Sequence, residues 1–209
     1  MTQQNPFLRG RGVYDVAPQT ETMNRRSQGI FVACTREAVF VQVVGRGACR
    51  NSEALRKYGQ RKLNEGFTIF YVDLLHCDGM DSTFLGMFAG LGLALRPAGS
   101  LRLLNLSGDN LKAFLDLGLD HLPCVRTSPS PDLNHPAPAW AEFQLLAGTD
   151  LNHKPKFDAL ERAILMLECH EDLCRLDERN EEKFRDVKEF LREDILRHSI
   201  SEAPPRPRT

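Results

Sequence analysis

Thr68-Ile69-Phe70-Tyr71-Val72-Asp73-Leu74-Leu75 is a nearly unbroken apolar run of strand length. A strand with one wet face alternates polar and apolar residues, so a continuous run marks a strand covered on both sides. Such a strand needs neighbours in its sheet and layers above and below. The preceding sequence supplies the neighbours. Ile30–Cys34 and Ala38–Val44 are short β-rich runs, separated by Thr35-Arg36-Glu37 at hairpin distance. In the second run Val39, Val41 and Val43 alternate with Phe40, Gln42 and Val44, which gives the strand two distinct faces.

Helical patterns supply the covering layer. One runs from Ser52 to Asn64, with Ser52 as its N-cap, Gly66 as its stop, and Leu55, Tyr58 and Leu63 facing inward. Beyond the central run, a turn through Cys77-Asp78-Gly79-Met80 leads to Asp81-Ser82 and a helix from Thr83 to Arg96. That helix is apolar nearly all round, which predicts burial on most sides. Gly86 and Gly90 lie one above the other on one of its faces. Glycine inside a helix costs about 1 kcal/mol relative to alanine, so close packing by a neighbouring element should compensate. Leu101–Leu106 reads as a further strand, Asp109–Leu117 as a short helix closed by Gly118, and Cys124–Thr127 as a last edge strand. Strands alternating with helices predict an α/β domain with a mixed or largely parallel sheet.

The chain has 209 residues, enough for one ordinary domain with appendages. Residues 1–29 lack a periodic apolar pattern and read as a flexible leader; residues 30–127 form the α/β domain. Residues 128–155, with Pro129, Pro131, Pro136, Pro138 and Pro155, read as a linker. Trp140, Phe143, Leu145 and Leu146 form an apolar patch that would pin it to the domain surface. Residues 156–198 are helical, and Asp177–Glu182 divides them into two helices; residues 199–209 form a loose tail. These acidic helices are open to three uses: pairing two copies of the chain in a homodimer, covering a sheet edge, or binding a separate protein.

Lys plus Arg total 27 and Asp plus Glu 28, a net charge of −1, which argues against a nucleic-acid binder. The apolar stretch Phe84–Leu95 is far shorter than the roughly 20 residues of a membrane span. Residues 1–29 contain no apolar signal-peptide core, so the expectation is a cytoplasmic protein whose six cysteines are reduced thiols.

Val72-Asp73-Leu74 followed by Met80-Asp81-Ser82-Thr83-Phe84-Leu85-Gly86 resembles the STAS domain family, the anti-sigma factor antagonist fold. The family pattern is a strand ending in Asp-Leu, a short loop, and Asp-Ser-Ser/Thr-Gly-Leu-Gly opening a helix. The resemblance covers residues 30–127 and departs at Phe84, where the family usually has glycine. It implies a STAS-type domain with a mixed sheet and packed helices, followed here by a C-terminal helical extension. It also implies bacterial signal transduction and transcription regulation by partner switching. An anti-sigma factor of the serine kinase type would phosphorylate Ser82, and the phosphorylated protein would release that kinase. Asp81, Ser82, Thr83, Phe84, Leu85 and Met87 are the expected partner-binding residues. Asp81 and Ser82 are also the residue types that cap helices. The alternative within the same fold is a scaffold or assembly subunit without phosphorylation, serving a sensory complex or the ATPase of a lipid-transport system.

No catalytic function is expected. His76 and Cys77 are adjacent on an extended segment, so they point to opposite sides and form no nucleophile–base pair. Cys169, His170 and Cys174 on one helix do not converge on a tetrahedral metal site. Gly45-Arg46-Gly47 lacks the Gly-Lys-Ser/Thr of a nucleotide loop, so no cofactor is implied. Arg50, Arg56, Lys57, Arg61 and Lys62 give the first helix a basic face, either simply solvated or meeting the acidic C-terminal helices.

Overall fold

The computed structural model describes residues 28–95, 99–128, 137–148 and 158–201. The leader 1–29 and the tail 199–209 fall almost wholly outside the described residues, as does much of the 128–155 linker. Strands β1 (Gly29–Cys34), β2 (Val39–Gly47), β3 (Ile69–Met80), β4 (Ser100–Leu104), β5 (Val125–Ser128) and β6 (Gln144–Gly148) form one mixed sheet in the order β5-β4-β3-β2-β1-β6. β1 runs antiparallel to β2 and to β6, while β2, β3, β4 and β5 are mutually parallel. Five α-helices accompany it among the described residues: α1 (Cys49–Asn64), α2 (Ser82–Ala94), α3 (Gly108–Asp116), α4 (Ala159–Leu176) and α5 (Arg179–Ser201). This is the α/β arrangement, with a mixed sheet, packed helices and a C-terminal helical extension, that the sequence implied.

The centre of the apolar run, Phe70–Leu74, is covered on both faces, whereas Thr68 and Leu75 at its ends are exposed. Phe70, Val72 and Leu74 join Val39, Val41, Val43, Leu101 and Leu103 in the main core, together with Phe84, Phe88 and Leu173 from the helices. On the opposite face Phe40 and Tyr71 stack with ring centroids 5.0 Å apart, beside Leu104 and Phe143. Phe143 thus holds its segment against the sheet, as the apolar patch predicted, although the side chain of Trp140 lies outside the described residues.

Three local expectations are corrected. The residues read as a turn, Cys77–Met80, continue β3, whose register against β2 shifts twice so that Gly79 pairs with Arg46 and Met80 with Gly47. The first helix begins at Cys49 rather than Ser52. Asn51 is fully buried and its Oδ1 accepts from the Ala48 N–H at 2.9 Å, while the Ser52 hydroxyl donates to the Ala48 carbonyl. Within the stretch read as a linker, residues 144–148 form β6, a strand the sequence reading did not include, and pair with β1.

The C-terminal helices belong to the core. α4 starts in a capping box: Asp158 Oδ1 accepts from the Glu161 N–H and Glu161 Oε2 from the Asp158 N–H. α4 then crosses α2 at Gly86 and Gly90, where the sequence called for a close neighbour. A Cβ placed on Gly86 would lie 2.8 Å from both the Cys169 carbonyl carbon and its Cβ, and one on Gly90 would collide with the Asp172 carboxylate. Cys169 and Leu173 are fully buried there. Burial pushes the Cys169 thiol up to about 12, so it packs as a neutral, apolar group. At the α4–α5 corner the buried Asn180 amide donates to the Leu117 and Leu173 carbonyls at 3.0 and 2.9 Å. Lys183 reaches the Asp116 carbonyl at 3.0 Å, so this corner satisfies carbonyls at the end of α3. Arg56 on the basic face of α1 pairs with Glu168 at 2.6 Å, the contact between basic and acidic helices made within one chain.

The α2–α4 crossing makes a prediction with an unusual sign. Helix propensity favours Gly86→Ala by about 1 kcal/mol, but the added methyl has no room against the Cys169 backbone, and overpacking costs about 1–3 kcal/mol. Gly86→Ala is expected to lower the urea midpoint, a net loss of up to about 2 kcal/mol. A raised midpoint would show that α4 does not lie against Gly86.

Candidate functional site

β3 ends at Met80 and the chain turns directly into α2 at Ser82, so Asp81 sits at the junction with an extended backbone. Its carboxylate serves two helices. Oδ1 accepts from the Phe84 N–H at 2.9 Å and caps α2, while Oδ2 accepts from the Cys49 N–H at 2.9 Å, the first residue of α1. One side chain therefore answers the free donors and positive dipole ends of both N-termini. The capping role read from the residue type holds for Asp81. Ser82 is the first residue inside the helix.

Ser82 is part-exposed, and its Oγ lies 3.0 Å from His170 Nε2 on α4. The tautomer follows from the far side of the ring. His170 Nδ1 lies 2.7 Å from the Met166 carbonyl, which can only accept, so Nδ1 carries the proton. Nε2 then offers a lone pair, and the Ser82 hydroxyl donates to it. His170 is 2% exposed and packs on the Phe184 ring at 4.6 Å. Desolvation pushes its pKa below 6.5, against the pull of the Met166 carbonyl and of Asp81, and the Lys188 cation acts in the same downward direction.

The other expected partner-binding residues are not on the surface. Thr83, Phe84, Leu85 and Met87 are 2%, 0%, 1% and 3% exposed. Phe84 is a correction to the expected docking set. Its ring sits over Gly47 and meets Phe88 edge-on at 5.2 Å, so it is a core side chain directed at β2. The absent side chain at Gly47 makes room for an aromatic ring where the STAS pattern has glycine. Met87 lines a narrow cleft between α1 and α2 that Gly90 and Asp172 also line. Asp81 and Ser82 alone of the six retain exposure.

Sequence reasoning missed His170 as a partner of Ser82. The two are 88 positions apart, and nothing in the pattern around either points to the other. The remaining polar candidates diverge. Cys169 faces Gly86, and Cys174 lies 3.4 Å from Lys188 Nζ. His76 is exposed, and Cys77 Sγ approaches the Gly79 carbonyl at 3.6 Å, its thiol pKa raised by burial. No described helix is long and apolar enough to cross a membrane.

The lowered His170 pKa gives a pH dependence. Below 6.5 the unfolded chain takes up a proton that the folded state resists, so stability falls as pH drops through that range. Wild type should lose stability relative to His170→Gln between about pH 7 and pH 5 in urea titrations; parallel curves would place the imidazole in water.

No protein-family model matches the chain, and no curated protein matches it. Solved structures do. The anti-sigma factor antagonist SpoIIAA in its unphosphorylated form is 26% identical, covering 41% of this chain and 81% of that one, with a TM-score of 0.39. The Bacillus cell fate determinant SpoIIAA in its phosphorylated form is 25% identical, covering 48% and 92%, with a TM-score of 0.42. Each of these matches spans less than half of this chain.

Proposed function

We propose that the chain is a regulatory protein-binding module of the anti-sigma factor antagonist type, switched by phosphorylation of Ser82. The observation that carries the reading is the position of Ser82 in the Asp81-Ser82-Thr83 motif: a part-exposed hydroxyl on the first residue of α2, beside the carboxylate that caps two helices. The partner is an anti-sigma factor of the serine kinase type. It moves the γ-phosphoryl group of ATP to Ser82 Oγ. The Oγ–P bond forms, the bond from the γ-phosphorus to the ADP oxygen breaks, and the hydroxyl proton passes to the base the kinase supplies.

The consequence is electrostatic. A phosphate brings a charge of about −1.5 to −2 at pH 7, and the start of a helix tolerates it within the domain. The same charge beside Asp81 weakens docking of a partner by repulsion and by the cost of desolvating it. Unphosphorylated protein binds the kinase and frees its sigma factor, and phosphorylation ends that complex. The work of the protein is binding rather than catalysis, in the cytoplasm of a bacterium.

In a labelling assay with a purified anti-sigma factor serine kinase and ATP, wild type should carry phosphate at Ser82 and Ser82→Ala none. Ser82→Asp should lose capture of the same kinase by at least about tenfold, about 1.4 kcal/mol. Binding unchanged by Ser82→Asp, with no label at Ser82, would leave a docking module without a phosphoswitch.

A further inference from the structure

Taking the proposed function as its premise for the identity of the partner, we infer that the α4–α5 hairpin is an autoinhibitory element. It occupies the face of α2 beside Ser82, and its docked state excludes both the partner and a phosphate on Ser82.

The flank of α2 marked by Gly86 and Gly90 is a helix-docking groove, and α4 already fills it, with the Cys169 backbone against Gly86 and the Asp172 carboxylate against Gly90. No second helix fits between them. Any partner that uses this flank of α2 must first displace α4.

In the docked state Ser82 Oγ donates its hydrogen to the Nε2 lone pair at 3.0 Å, because the Met166 carbonyl holds the ring proton on Nδ1. Phosphorylation removes that hydrogen. An ester oxygen then faces an imidazole lone pair, two acceptors at hydrogen-bond distance with nothing to share. A second proton on His170 would relieve this, but it would have to sit on a side chain that is 2% exposed and packed on Phe184. The phosphate adds its charge to that of Asp81 next door. Both the acceptor–acceptor contact and the added charge work against the apolar packing that keeps α4 in place.

The hairpin gives Leu165, Cys169, Leu173 and Phe184 to the core, so apolar packing holds most of it, and among the described residues it has few polar anchors. Away from Ser82 it is held at the α4–α5 corner by Asn180 on the Leu117 carbonyl and Lys183 on the Asp116 carbonyl, and on α4 by the Arg56–Glu168 pair. These anchors lie outside the Ser82 site, so they can be cut without altering it.

Hydrogen exchange read by mass spectrometry on the full chain tests the inference without any partner. Ser82→Asp puts acceptor oxygens opposite Nε2, and amides of residues 159–176 should exchange at least about tenfold faster than in wild type while β2 and β3 stay protected. Ser82→Ala, which only removes the donor, should fall between the two. Equal or stronger protection of 159–176 in Ser82→Asp overturns the inference. A second arm cuts the anchors. Asn180→Ala and Lys183→Ala should speed labelling of Ser82 by an anti-sigma factor serine kinase severalfold relative to wild type. Labelling at an unchanged rate, where exchange shows the hairpin loosened, also overturns it. Loss of protection in Ser82→Asp without label in any variant sinks the kinase reading and leaves the closed hairpin standing.

Discussion

The contact on which the rest of the structure depends is the crossing of α2 and α4 at Gly86. With no side chain at that position, the Cys169 backbone comes against the helix itself, and a single Cβ would hold it off. This approach accounts for two of the three glycines in α2, Gly86 and Gly90. It makes the C-terminal segment a layer of the domain, burying Cys169 and Leu173 completely. It also sets the distance at which His170, one residue beyond Cys169, meets the hydroxyl of Ser82. Move α4 outward and Cys169 and Leu173 lose their cover, the glycines become a liability, and Ser82 loses its partner.

Asp81 supplies the complementary constraint at the start of α2. By accepting from Phe84 and Cys49 it ties the N-termini of two helices to the end of β3, so the Ser82 hydroxyl is carried by a rigid junction rather than a loop. On one side of that hydroxyl stands a carboxylate committed to backbone donors, and on the other a neutral imidazole with a defined tautomer. A hydroxyl fits this setting because it can donate; a phosphate ester cannot. The geometry that makes Ser82 a quiet structural residue in the docked state thereby makes its modification consequential.

Much of the α/β domain was legible from the sequence, because its signals are local. The apolar run 68–75 marked a doubly covered strand, and the alternation Val39, Val41, Val43 against Phe40 and Gln42 put the right side chains in the right layers. The break between the last two helices fell at Asp177-Glu178, within the polar stretch that announced it. Where the reading failed, a tertiary contact overrode a local one. Asp78-Gly79 reads as a turn, yet pairing with Arg46 keeps it in β3. Phe84 looked like part of a docking surface because its neighbours in the motif suggested one; only the empty space at Gly47 explains why it turns inward. The Gly86–Gly90 face was read as a place where a neighbouring element comes close, without saying which element that is. Pairing of Ser82 with His170 depends on how a distant helix lies across α2, and no periodicity encodes that.

The central claim is that α4 lies on α2 with the neutral, Nδ1-protonated imidazole of His170 accepting from Ser82. Nuclear magnetic resonance of the full chain tests it in one sample. The long-range nitrogen–proton spectrum of the imidazole rings reports the tautomer, and through-space contacts report whether Gly86 meets Cys169. The account predicts the Nδ1–H tautomer at His170 together with cross-peaks between the Gly86 α-protons and the Cys169 side chain. An Nε2–H or freely titrating His170, with no contact between Gly86 and Cys169, would contradict it.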